Sequence, residues 1–232
     1  MIDMLFYDLH VHTKDSIGEN NLEEIVQMAK RLDLAGIGIA RYHDNITELP
    51  TIEGIDIINA VIVKADTPEE LNKIVRDVRN SAEVVMVHGG NYDINRAACE
   101  NPMVDILCHP ELGRKDSGID HICARAAREN NVAIEINFRE ILESFRKHRT
   151  YILSSMKTNI MLCKKYEVNV ITTSSAVSKW GLRGGRELAS ISYLLGLDLA
   201  SAIASVSSVP ENIIKTNREK LKGNMWEGVK IV

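Results

Sequence analysis

Short apolar runs alternate with longer stretches of helical periodicity along almost the whole chain. Seven runs read as strands, at 5–11, 35–40, 55–63, 83–87, 104–108, 132–137 and 168–174. Several are apolar on both faces, which is expected of strands covered on both sides rather than half-exposed. Leu22, Ile25, Val26, Ala29 and Leu32 recur at helical spacing after the first strand. Pro68, followed by Glu69 and Glu70, opens a segment in the way a helix N-terminus does. Ile119, Ile122, Ala126 and Ala127 mark another helix, and a long one is predicted over about 144–165. A further helix, Arg186 to Leu195, follows Gly184 and Gly185, and Pro210 opens a last one.

Each strand is thus expected to be followed by a helix, which implies parallel strands joined by right-handed crossovers. Seven such units in 232 residues favour an α/β fold closed as a TIM-like (β/α) barrel, with parallel strands and outer helices, over an open sheet. No GxGxxG follows the first strand, which removes the main reason to prefer a dinucleotide-binding fold. With no long linker or low-complexity stretch, one domain over 1–232 is expected.

Composition adds limits. With 45% hydrophobic and 26% charged residues the chain is of ordinary globular type. Cys99, Cys108, Cys123 and Cys163 are too scattered for a zinc knuckle or a disulfide framework, so reduced, buried thiols are expected. The opening MIDMLFYDLHV carries acids and no basic flank, and so reads as a strand rather than a signal peptide. No apolar run approaches the roughly 20 residues of a membrane span, and a cytoplasmic chain is expected.

Charge changes the picture more. Residues 1–138 hold 13 Lys and Arg against 24 Asp and Glu, a balance of −11, whereas residues 139–232 hold 15 against 8, a balance of +7. Segregation of this kind hints at a polyanionic partner for one face.

Candidate chemistry clusters where strands end, the working face of a barrel. His10 and His12 are two apart in YDLHVHT, so in extended chain both imidazoles point to one side. His43, His88, His109 and Glu135 then fall at or just after the ends of four more strands. Such His and Glu sets are metal-ligand types.

YDLHVHT, RYHD, CHPE and IEIN, with the repeated α/β pattern, resemble the polymerase and histidinol phosphatase (PHP) superfamily. That resemblance implies a PHP-type barrel with metals at its mouth, and matches His10, His12, His43, His109 and Glu135 to ligand positions. The end of the last strand departs from it: Thr173, Ser174 and Ser175 stand where acid and imidazole are usual, and neutral hydroxyls hold a transition metal poorly.

ITTSSAVSKWGLRGGREL and the block from IEINFRE through YILSSMK to LCKKY are more specifically similar to the protein component 3 family of archaeal and eukaryotic ribonuclease P. The resemblance runs from Tyr7 to about Leu221. It implies an RNA-binding subunit that pairs with component 2 and other subunits and supports a catalytic RNA acting on precursor tRNA. No catalytic residue is then expected in the chain. Magnesium would belong to the RNA, with the five metal-type residues as vestiges able to hold at most a residual ion.

Within that role Arg139, Arg146, Lys147, Arg149, Lys179, Arg183 and Arg186 are the candidate RNA contacts, acting by phosphate neutralisation and counterion release. Arg183 and Arg186 flank two glycines at a helix start, where free N–H groups and close backbone approach favour an anion. Trp180 is expected to pack in a core or interface rather than stack on a base. The alternative reading is a metal-dependent PHP-type phosphoesterase.

Overall fold

A computed structural model describes residues 4–45, 48–223, 225–226 and 229–230. Its seven main strands are β1 (Tyr7–Val11), β2 (Gly36–Tyr42), β3 (Asp56–Val63), β4 (Val84–His88), β5 (Ile106–Cys108), β6 (Ala133–Asn137) and β7 (Val170–Thr173). They pair in sequence order, and every pairing is parallel. A parallel bridge from Val11 to Ala176, just past β7, brings the two edges together, so the barrel is nearly closed. All seven sequence-predicted strands are present.

The helices are α1 (Leu22–Arg31), α2 (Pro68–Val78), α3 (Tyr92–Cys99), α4 (His121–Glu129), α5 (Phe138–Glu143), α6 (Arg146–Tyr166), α7 (Gly185–Leu195), α8 (Leu199–Ala204) and α9 (Ser208–Leu221). Their starts follow from local chemistry. Asn21 and Glu24 form a capping box at α1, and Thr67 caps α2 with Pro68 in its first turn.

Three expectations are corrected. Among the described residues no helix joins β2 to β3. The long helix predicted over about 144–165 is preceded by a separate short one, α5, because Ser144 takes an extended backbone that ends it before α6 begins at Arg146. The last helix, α9, is not an outer helix. Arg218 binds Asp56 and Glu83, and Asn217 donates to Asp105 and to the Glu83 carbonyl. Those acids sit at the N-terminal ends of β3, β4 and β5, so α9 is fastened across the bottom of the barrel. Two short antiparallel strands, β8 (Met225–Trp226) and β9 (Val229–Lys230), follow it.

Two features of the core set up the site. Inside the barrel Ala40, Ala60, Ile62, Met86, Ile106, Cys108, Ala133 and Ile171 form an apolar floor. Alternation along each strand then places Tyr42, His88, Glu135 with Asn137, and Thr173 on the same inward side, nearer the C-terminal ends. The interior is therefore apolar below and polar at the mouth.

The second feature is the length of α6. Its 21 residues span about 31 Å, against about 17 Å for a five-residue strand. Ser155 and Asn159 meet Asp116 and Glu111, which lie in the loop above β5. The turns before them stand beyond the rim, and Phe145 to Tyr151 are exposed at every position. Burial resumes with Ile152 and Met156. All four cysteines are free and buried, as expected.

Candidate functional site

The inward side chains at the mouth converge on Glu135, which is fully buried. His10 Nδ1 lies 2.6 Å from one carboxylate oxygen, and Thr173 Oγ1 donates to the same oxygen at 2.7 Å. The other oxygen accepts from the His109 backbone N–H and from Asn137 Nδ2, both at 3.2 Å, and His109 Nδ1 lies 3.2 Å away. Burial alone would raise the Glu135 pKa, but His10 and His109 outweigh it and hold it well below the usual carboxylate range. Glu135 is thus an ionised group whose acceptor sites are filled by its own protein.

His12 lies one step outward. Its Nδ1 donates to the Ala40 carbonyl at 3.1 Å, which leaves Nε2 as an acceptor facing His10 Nε2 at 3.2 Å. Burial, then the charges of His10 and Arg139, push the His12 pKa down to about 2, so it stays neutral. Ser175 Oγ approaches His10 Nε2 at 3.4 Å. His88 stacks edge-on against His109, with ring centres 5.0 Å apart, and burial followed by that neighbour lowers it to about 4.

The donor set decides how well this ring suits a metal. One donor atom each from His10, His109 and Glu135 lies within 4.8 Å of the others, which is the geometry of a partial metal site. The 3.2 Å separation of His10 and His12 Nε2 also matches the edge of a tetrahedron with bonds of about 2.0–2.1 Å. A multinuclear hydrolase centre does not fit. Glu135 is spent on protein donors, Thr173, Ser174 and Ser175 bring no charge, and the Arg139 cation acts on both His10 and His12.

His43, expected with the ligands, stands apart. It follows the end of β2 in a turn, its buried Nδ1 has no hydrogen-bond partner, and no ring contact joins it to the other histidines. Sequence reasoning passed over Asp8, Asn137 and Thr173 as members of this network. Asp8 accepts from the backbone N–H groups of His10 and Ser174, and burial raises its pKa to about 7. The signal was available, because Asp8, His10 and His12 alternate, as do Glu135 and Asn137.

The proposed RNA contacts fall into five environments. Arg146, Lys147 and Arg149 lie on the bare first turn of α6, whose N-cap, Phe145, supplies no side-chain cap. Arg149 also donates from Nε to the Ser144 carbonyl at 2.7 Å, and Lys147 lies 5.8 Å from the Tyr151 ring centre. Arg139 reaches over the ring of histidines, and its buried Nε has no partner. Lys179 is already paired with Glu24 at 2.8 Å.

The Arg-Gly-Gly-Arg turn does not form the expected shared anion site. Arg183 turns back toward the mouth, donating to the Trp180 and Leu182 carbonyls and lying 5.0 Å from the Phe138 ring centre. Arg186 lies at the opposite end of the barrel, in a groove of about 1130 Å³ lined by Met4, Phe6, Leu34, Gly54 and Tyr193 among others. The glycines have packing reasons. A Cβ on Gly185 would stand 2.3 Å from the Phe6 ring, and one on Gly184 would stand 2.5 Å from the Glu187 carboxylate, which already occupies the helix start. Trp180 is 71% exposed, so it is not packed in the core, one of the two expected places for it.

The model of the ribonuclease P subunit p30 family matches residues 5–222. The chain belongs to this family. It is 37% identical to ribonuclease P protein component 3 of Methanosarcina mazei over 98% of this chain and 95% of that one. It is 39% identical to the protein of the same name from Methanococcoides burtonii, over 100% and 95% of the two chains. Among solved structures it is similar to a chain of archaeal ribonuclease P with mature tRNA, with a TM-score of 0.77, 27% identity, and 96% and 97% coverage. A histidinol phosphate phosphatase from Lactococcus lactis, solved with zinc, L-histidinol and phosphate, shares the fold at a TM-score of 0.52 and 12% identity over 91% and 93% of the chains. The family assignment agrees with the sequence resemblance, and the second structure ties the barrel to PHP-type hydrolases in fold alone. Among the described residues no helix is long and apolar enough to cross a membrane.

Proposed function

We propose that the chain is a protein subunit of ribonuclease P that binds and supports the catalytic RNA, working with component 2 and other subunits in removing the 5′ leader from precursor tRNA. The observation that carries this reading is the bare turn from Phe145 to Tyr151, which leaves Arg146, Lys147, His148 and Arg149 exposed and without a carboxylate partner among the described residues. Cations at a helix N-terminus oppose the helix dipole by a few tenths of a kcal/mol each, so folding alone gives no reason to place them there. Phosphates give that reason, since each neutralised phosphate releases condensed counterions.

On this reading Arg139, Arg146, Lys147 and Arg149 are the principal contacts, Lys179 and Arg183 support the surface, and Arg186 lies on a different face. Magnesium belongs to the RNA. The ring around Glu135 holds β1, β5, β6 and β7 together at the mouth and performs no chemistry. The test is reconstituted precursor-tRNA cleavage at low magnesium with and without this chain. Its presence should lower the magnesium requirement; no effect alongside the other proteins would refute the assignment.

One observation favours a phosphoesterase instead, the His10–His12 nitrogen pair at metal-edge spacing. Stoichiometric zinc or manganese in the purified protein, with phosphoesterase activity removed by chelator, would support that second reading.

A further inference from the structure

Trp180 is held in place by its surroundings while its side chain is left in water. Its backbone carbonyl accepts from Arg183 at 2.9 Å, and the adjacent Lys179 is fixed through its N–H to Asn20 and through its ammonium to Glu24. Gly181, on the other side, closes a turn onto the Ser178 carbonyl. Lys179 is thus tied to the body of the protein and Trp180 and Gly181 are fixed within their own loop, yet the indole is 71% exposed. A large rigid aromatic presented in this way has lost its backbone freedom in advance, so a partner that covers it has little further ordering to impose.

The chemistry around the indole selects the partner. The Lys179 ammonium lies 5.5 Å from the ring centre, and its one carboxylate partner, Glu24, is neutralised by it. Arg183 lies against the Trp180 carbonyl and over the Phe138 ring, and the next residue of α5 is Arg139, whose buried Nε has no hydrogen-bond partner. Donors suited to phosphate therefore border a flat apolar face. An apolar protein surface would satisfy the indole but leave those cations unmatched. A nucleic-acid strand satisfies both.

We propose that Trp180 is a stacking platform for an unpaired base of an RNA strand, with Arg183 and Arg139 meeting its phosphates. This deepens the RNA-binding reading and rests on it. Duplex RNA offers no base face to the indole, so the surface should distinguish single-stranded from paired segments of a folded RNA, while the cations of α6 should not.

The test uses the full chain with Trp226 replaced by Phe, so that Trp180 is the single indole. The probes are an oligoadenylate of about ten nucleotides and a duplex of the same length. The expected result is quenching of indole emission by the single strand and not by the duplex. Trp180→Ala should weaken single-strand binding by about tenfold, within the range of one lost base–aromatic stack, leave duplex binding unchanged, and be rescued in large part by Trp180→Phe. If both RNAs bind but emission does not move and Trp180→Ala binds like the parent, the stacking proposal is overturned and the RNA-binding reading stands. If neither RNA binds, both fall. If the other protein subunits, added without RNA, shield the indole from acrylamide, Trp180 belongs to a protein interface and the proposal is overturned.

Discussion

Two groups of polar side chains meet at the C-terminal end of this barrel. Around Glu135, His10, His109, Asn137 and Thr173 are buried and answer one another's hydrogen bonds. Around the start of α6 and at Trp180, cations and aromatics face water, with Phe145 69% and Trp180 71% exposed. The first group has turned inward, so its energy goes into holding strands together. The second gives little to the barrel beyond the Lys179–Glu24 tether and leaves most of its energy available to a partner. Metal-type residues at a barrel mouth thus do not by themselves mark a working centre; what matters is whether their lone pairs are free.

The largest expected effect breaks the inner group. Glu135→Leu would leave His10, His109, Asn137 and Thr173 without their shared acceptor in a buried site. Removing one partner of a buried charged network costs about 3–5 kcal/mol, so urea unfolding should show a loss of that order. The protein that still folds should bind RNA with unchanged affinity, and a matching drop in affinity would erase the distinction between the two groups.

Charge reversal in the outer group should act in the opposite sense on folding. Arg146→Glu with Lys147→Glu should weaken RNA binding by about 10- to 100-fold and make the log–log salt dependence shallower by about 2, since two phosphate contacts are lost. Acids at a helix N-terminus suit the dipole, so stability should rise by a few tenths of a kcal/mol per site. Titrations at several salt concentrations, paired with thermal unfolding, read both quantities.

A smaller effect is expected where the loop bearing Trp180 is tied down. The hydrogen bond from Lys179, followed by those from Asn20 and the Asn21 N–H, holds the Glu24 carboxyl at about 2 against an ordinary value of 4.5. A carboxyl depressed in the folded state contributes stability that is fully present above about pH 4.5 and is lost as pH falls toward 2. Glu24→Gln should therefore remove part of the acid sensitivity between those values and leave the neutral-pH midpoint within a few degrees of the parent. An unaltered acid-unfolding curve would count against the Lys179 tether.

The smallest effect concerns metal. Because Glu135 is committed to protein donors, dialysis against a chelator should leave both the unfolding midpoint and RNA affinity unchanged. A fall of several degrees, restored by zinc, would show that the ring holds an ion.

Much of this was legible in the sequence, for local reasons. The seven strands announced themselves as short runs of apolar residues between helical segments, because a parallel sheet covered on both faces leaves little room for polar positions. His10, His12, His109 and Glu135 could be grouped because strand periodicity fixes which side chains share a side. His43 could not be placed this way, since it lies past the end of its strand, where alternation no longer applies. Gly185 was misread because its reason is tertiary: Phe6 arrives from the start of another strand. The exposure of Trp180 had no local signal either, for it depends on where a loop is anchored by Asn20 and Glu24, more than 150 positions away in sequence. The separate helix α5 was hidden by its shortness, six residues with no buried apolar face to reveal a period.

The overhang of α6 has a consequence for how such a protein changes over time. Residues from Phe145 to Tyr151 are exposed at every position, so exchanging most of them carries little folding penalty. Selection on that turn then comes mainly from the partner, and its charge can be retuned while the scaffold beneath it stays fixed.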